Sequence, residues 1–235
     1  MMIRLEPRLN HLLAALPKEE YDSLHPGLEL VRLKTGEIIA EPNKRSNYVY
    51  FPVDCVISLY YTMESGASAE IAMIGNEGMF SIVNVMGGAS MPYLAVVQTM
   101  GHAFRLDEGI LKQAFDRAET LRRTLLLYTQ ALLTQMAQGA VCNRHHSLTQ
   151  QLCLLLLLVH DKTLSNELVL TQETIANMLG VRREGVTEAA GKLRIEGIID
   201  YKRGHISVID RSSLETLCCE CYGVVKKEFQ RLLGY

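Results

Sequence analysis

The chain has 235 residues, 48% of them hydrophobic, and 24 basic against 26 acidic residues give a formal net charge of -2. That length accommodates two domains with separate cores, and the charge excludes a globally basic nucleic-acid binder while leaving room for a local cationic footprint. Arg4, Glu6, Arg8 and Pro17 interrupt any leader peptide, and the longest apolar run, Leu152–Val159, is too short to cross a bilayer, so a cytoplasmic chain without membrane contact is expected.

Residues 8–24 read as a short helix. Seven short runs follow, Leu28–Leu33, Glu37–Ala40, Tyr48–Phe51, Val56–Tyr61, Ala69–Ile74, Ala95–Thr99 and His102–Leu106, separated by glycine- and proline-bearing turns. Many short strands at near-regular spacing predict an antiparallel barrel or jelly roll. Around residue 107 the period changes from two to between three and four. A short helix ending near Phe115 leads into a long one over about 119–143. Its residues Leu121, Leu125, Tyr128, Leu132 and Met136 recur at near-heptad spacing, the pattern of a coiled-coil seam, and are expected to meet a second subunit. Leu126, Leu127 and Leu133 lie off that seam and are assigned to the contact with the chain's own barrel. The next helix, about Ser147–Lys162, opens the C-terminal domain.

The most informative stretch is Leu170–Arg211, LTQETIANMLGVRREGVTEAAGKLRIEGIIDYKRGHISVIDR. Thr171 is a candidate N-cap with Glu173 in the first turn. Ile175, Ala176, Met178 and Leu179 form an apolar face, and Gly180 supplies the positive φ of a tight turn. A second helix carries Val186, Ala189, Ala190 and Leu193 inward and leaves Arg182, Arg183, Glu184, Thr187 and Glu188 exposed at its start. Ile198–Tyr201 and His205–Ile209 then alternate as strands about Lys202-Arg203-Gly204. Helix, turn, helix and basic β-ribbon make a winged helix-turn-helix, whose second helix meets base edges in the major groove. A packing hairpin has no need of two arginines before its apolar face or of a basic ribbon after it.

Six cysteines, at 55, 142, 153, 218, 219 and 221, are expected to be free thiols in a reducing compartment. Cys218, Cys219 and Cys221 lack a second pair at zinc-ligand spacing, so no metal site and no cofactor is expected, and their role is left open. The neighbours His145 and His146 point in different directions on a helix and suggest no site.

A β-roll, a connecting helix and a winged helix-turn-helix, in that order, resemble the Crp/Fnr family of bacterial transcription regulators. The stretches VYFP (Val49–Pro52), GNEGMF (Gly75–Phe80) and CNRHH (Cys142–His146) carry the same resemblance. It implies an α+β fold: residues 1–117 as a sensor roll like a cyclic-nucleotide-binding domain, 118–144 as a dimerisation helix, and 145–235 as the DNA-binding domain. It further implies a non-enzymatic homodimer that binds a palindromic operator and contacts RNA polymerase. Thr171, Gln172 and Arg203 would hold phosphates. Arg183 and Glu184 would read bases, with Arg182, Thr187 and Glu188 beside them. Glu188 stands where the family pattern has a further arginine, which shifts the expected target away from a TGTGA-type half-site. The family's cyclic-nucleotide pocket pairs the phosphate with an arginine some ten residues after a Gly-Glu. Here the corresponding stretch is Met91-Pro92-Tyr93, which offers no cation, so cyclic AMP is not expected and the effector stays unassigned. The N-terminal cysteine cluster of the oxygen-sensing version and a haem-ligand set are both missing, as is the His-x-His of a metal-dependent cupin. The remaining alternative is a ligand-sensing module that acts through protein contacts, with a degenerate helix-turn-helix.

Overall fold

The computed structural model describes residues 5–88, 90–163 and 165–235. The single helix expected over residues 8–24 is two, α1 (His11–Ala14) and α2 (Lys18–Leu24), because Pro17 forces the chain into an extended step between them. Asn10 caps α1: its side-chain oxygen accepts from the Leu12 and Leu13 amides at 3.1 and 3.4 Å. Its amide nitrogen donates to the carbonyls of Pro52 and Gly78 at 3.0 and 2.8 Å. A fully buried polar side chain is thereby satisfied while it ties the N-terminus to the strands behind it.

Seven strands follow: β1 (Glu29–Leu33), β2 (Ile38–Ala40), β3 (Tyr48–Pro52), β4 (Val56–Thr62), β5 (Ser68–Ile74), β6 (Leu94–Thr99) and β7 (Gly101–Asp107). They form two antiparallel sheets, ordered β1-β7-β3 and β2-β6-β4-β5, as the strand spacing predicted. Val49, Phe51, Ile57, Leu59, Phe80, Ala95 and Leu106 fill the space between them. Short α3 (Glu108–Arg117), capped by Asp107, leads to the long α4 (Glu119–His145). Residue 118 is alanine and cannot cap α4. The Glu20 carboxylate of α2 does so instead, accepting from the amides of Thr120 and Leu121 at 3.1 and 2.7 Å.

The stripe Leu121, Leu125, Tyr128 and Leu132 is buried inside this single chain, at 2, 1, 1 and 8% exposure, with Met136 half-buried behind it. Tyr128 donates to the Met79 carbonyl at 3.1 Å, and the Gln135 amide to that of Met73 at 3.0 Å. The expected subunit seam is therefore corrected at four positions: Leu121, Leu125, Tyr128 and Leu132 pack on the chain's own core and have almost no surface to offer a partner, whereas Met136 keeps part of its surface. Leu126 and Leu133, expected to face the barrel, are 52 and 61% exposed. Leu127, expected there too, is half-buried, so the helix stands where its period places it but the stripe that the core takes is the one read as the seam.

The C-terminal half comprises α5 (Leu148–Lys162), β8 (Glu167–Val169), α6 (Gln172–Leu179), α7 (Arg183–Ile195), β9 (Ile199–Lys202), β10 (His205–Val208), α8 (Arg211–Leu217) and α9 (Glu220–Leu233). A Ser147/Gln150 capping box starts α5, which is buried along most of its length. Helix α9 returns to lie along α4, and its Val225 and Phe229 join the core of the N-terminal half. No described helix is long and apolar enough to cross a membrane.

Two glycines give opposite expectations. A Cβ at Gly78 would overlap the Tyr128 ring and hydroxyl, whereas one at Gly223, inside α9, meets nothing within 4 Å. Gly78→Ala should cost about 1–3 kcal/mol in urea unfolding, because a buried ring cannot retreat. Gly223→Ala should stabilise by roughly 0.5–1 kcal/mol through helix propensity.

Candidate nucleic-acid interface

Thr171 caps α6, its hydroxyl accepting from the Thr174 amide at 3.0 Å. Gly180 closes the helix at φ 65°, the left-handed conformation that favours glycine. Val186, Ala189, Ala190 and Leu193 of α7 are all buried against α5 and α6. The small side chains let the two helices of the motif approach closely. Strands β8, β10 and β9 form a three-stranded sheet, and Arg203 (φ 48°) with Gly204 (φ 87°) makes the two-residue turn of the β9–β10 hairpin.

Arg182, Arg183, Glu184, Thr187 and Glu188 are exposed together at the start of α7, and Arg203 is exposed at the wing tip. Among the described residues Arg182, Arg183 and Arg203 have no carboxylate within ion-pair distance. The other cations nearby are engaged: Lys192 with Glu188 at 2.8 Å, and Lys202 and Arg194 with Asp200 at 2.8 and 3.3 Å. Lys192 holds the Glu188 carboxyl below its ordinary range. The arginines that stay free of carboxylates are thus those at the helix start and the wing tip, which makes the local face cationic on a chain of negative net charge.

Three side chains join these parts. The Thr187 hydroxyl of α7 donates to the Gln172 side-chain oxygen at 2.8 Å, and the Gln172 backbone N–H donates to the Tyr201 hydroxyl of β9 at 3.3 Å. Recognition helix, first helix and wing are thereby fixed to one another. Tyr201 was not singled out from sequence, since a tyrosine in an alternating strand reads as ordinary packing. Gln172 and Thr187 were, but without the bond between them.

The motif also rests on the β-roll. The α6 turn at Gly180 lies against β5, an added Cβ there standing 3.4 Å from that of Ala69. Where β5, α4, α5 and α6 meet, Glu70 lines a cavity of about 80 Å³ with Gln135, Gln151 and Met178. One Glu70 oxygen is buried without a hydrogen-bond partner among the described residues. Burial raises its carboxyl from the ordinary 4.5 to about 8, while the nearby Ser58 hydroxyl and the Lys162 charge pull the other way.

Expectations about the thiols also change. No metal-ligating set was expected because spacing showed no second pair. The fold supplies that pair, bringing Cys142 and His146 at the end of α4 to Cys219 and Cys221 at the start of α9. Cys218 and His145 stay outside the group.

Comparison with known proteins agrees with this architecture. Residues 150–217 match the model of the Crp-like helix-turn-helix domain, and residues 30–118 match that of the cyclic nucleotide-binding domain. The global nitrogen regulator of Synechococcus elongatus is 23% identical over 197 residues, 80% of this chain and 88% of that protein. FixK2 from Bradyrhizobium japonicum superposes with a TM-score of 0.69 at 18% identity, over 82% of this chain and 98% of that one. A Crp/Fnr-family transcriptional regulator from Thermus thermophilus gives 0.65 at 22% identity, over 80% and 97%.

Glu70 should make the stability of the folded chain pH-dependent. A carboxyl raised on folding favours the folded form below about 4.5. That contribution declines as pH rises towards about 8 and is level above. Glu70→Gln should remove this slope from urea midpoints measured across that range. An unchanged slope would mean that the carboxyl is solvated in the folded protein.

Proposed function

We propose that this chain, which belongs to the Crp/Fnr family of transcription regulators, binds a two-fold symmetric DNA operator as a homodimer. Its family is non-enzymatic, and its DNA-binding element is the Crp-like helix-turn-helix. The observation that carries the finer reading is the set of exposed, carboxylate-free arginines at the start of α7 and the tip of the wing. Arg183, with Glu184 beside it, faces base edges, the arginine to guanine and the glutamate to a cytosine amino group. Arg182, Arg203 and the α6 start at Thr171 and Gln172 hold phosphates. Glu188, paired along the helix with Lys192, tempers the charge of that face.

The dimer uses the outer stripe of α4. Leu126, Gln130, Leu133, Ala137 and Ala140 are exposed at successive spacings of four and three, with Val141 beside them. That is a heptad seam left over after the inner stripe has been consumed by the chain's own core. An isologous contact there places two recognition helices about one two-fold axis, matching a palindromic site.

Cyclic AMP is not the trigger in this reading. Met91 is buried in the apolar core and Tyr93 carries a neutral phenol, so neither offers a phosphate a positive partner. Glu77 is turned to Lys162 of α5 in an ion pair.

Two variants separate the roles in the DNA contact. Arg183→Ala should cost about 1–3 kcal/mol on the preferred site and relax selectivity at one symmetric base pair. Arg203→Ala should weaken all sequences alike and lower the salt slope by roughly one. Equal loss of selectivity from both would refute the assignment. For the dimer, Leu126→Glu with Leu133→Glu should yield a folded monomer by sedimentation, whereas Leu125→Glu should unfold the chain. A double variant that stays dimeric would move the interface elsewhere.

A further inference from the structure

We propose that Cys142, His146, Cys219 and Cys221 form a Zn²⁺ site that staples the end of α4 to the start of α9. The Cys142 and Cys219 sulfurs are 3.6 Å apart, and the Cys221 sulfur is 3.4 Å from the His146 Nδ1. All four donor atoms lie within 4.8 Å of one another. Zinc–sulfur bonds of about 2.3 Å and a zinc–nitrogen bond of about 2.0 Å in a tetrahedron give donor–donor edges of roughly 3.5–3.8 Å. The four groups therefore need only close slightly around one ion.

The donor set selects the metal. Three thiolates and an imidazole suit zinc, and the absence of oxygen donors from the set argues against magnesium or calcium. Donors this close enclose a single ion and leave no room for sulfide-bridged irons. The three cysteines are buried, at 1, 6 and 0% exposure, so the coordination sphere is closed and the site is structural in kind.

The surroundings fit the same assignment. The Glu220 carboxylate lies 3.3 Å from the His146 Nε2, on the far side of the ring from Cys221, which orients the imidazole with Nδ1 towards the sulfurs. The Gln138 amide donates to the Cys221 sulfur at 3.1 Å, a bond that favours the thiolate. Cys219 is the N-cap of α9 and Cys221 stands in its first turn, where the helix dipole favours negative charge. On binding, Zn²⁺ takes the place of three thiol protons, which pass to solvent, and the centre keeps a net charge of roughly minus one.

The position of the site gives it a consequence. Cys142 and His146 end the helix proposed to carry the dimer seam, and Cys219 and Cys221 begin the helix that closes the DNA-binding half. A metal bond between them fixes where one starts relative to where the other ends, independently of how the wing meets DNA.

The test is metal analysis of the full-length protein purified under reducing conditions without a metal-affinity column, then dialysed against Zn²⁺ and gel-filtered. The expected result is one zinc per chain, released in step with titration of three thiols by a mercurial, and a lower thermal midpoint after its removal. Cys219→Ser and Cys221→Ser should lose the zinc, while Cys218→Ser, outside the set, should keep it. Should the ligand variants not fold, Co²⁺ exchanged into the unaltered protein gives a second reading: tetrahedral thiolate bands are expected. Protein without bound zinc and with all thiols freely reactive would overturn the proposal. So would a Cys142–Cys219 disulfide that persists in reductant, iron with sulfide in place of zinc, or equal zinc loss from Cys218→Ser.

Discussion

The burial of Tyr128 against the Gly75–Phe80 segment is the constraint on which the rest of the molecule depends. Its ring lies where any side chain at position 78 would have to be, and its hydroxyl is satisfied by the Met79 carbonyl. That contact, continued by Leu121, Leu125 and Leu132, seats a 27-residue helix on the β-roll. Once the helix is seated, its outer stripe, the groove along which α9 lies, and the position of Cys142 and His146 at its end all follow. An isolated helix of this composition would have two apolar stripes and no reason to prefer either.

The two halves of the chain meet through chemically different contacts. Glu77 of the roll and Lys162 of α5 form a buried ion pair. The Tyr235 hydroxyl donates to the Glu77 carbonyl at 2.7 Å, with its ring edge-on to His11 at 4.5 Å. Val225 and Phe229 of α9 add apolar burial, and β5 supports the turn of the helix-turn-helix. Buried ion pairs are poor sources of net stability but are costly to break one partner at a time. The Gly75–Phe80 segment, which touches α1, α4, α5 and the C-terminus, is therefore the part of the roll whose displacement would disturb the DNA-binding half most directly.

Much of the recognition element was legible in the residues. Gly180 announces the turn, the Val186/Ala189/Ala190/Leu193 stripe announces the buried face, and the arginines around them have no packing reason to be there. The strands of the roll were legible for the same reason: period-two alternation between turn residues records which side of a sheet faces inward. Leu125 and Leu126 show where such reading fails. Both belong to near-heptad stripes, and periodicity reports that a stripe is apolar without saying against which surface it is buried.

Local pattern by itself thus determined the class of fold, the order of its parts and the helix-turn-helix with its exposed arginines, because helical and strand periods and turn chemistry act over a few residues. The tertiary structure decided what depends on residues far apart in the chain. It chose which stripe of α4 the core would take, since Tyr128 finds its place only at Gly78, fifty residues earlier. It capped α4 with a carboxylate from Glu20, a hundred residues away, because Ala118 could not. It turned a Glu70 carboxylate oxygen into the junction of the two halves and gathered two pairs of donor side chains, from the ends of two helices, into one cluster of thiols and imidazole. Spacing along the chain cannot record such convergence, because the distance that matters to a carboxylate or a sulfur is measured through space.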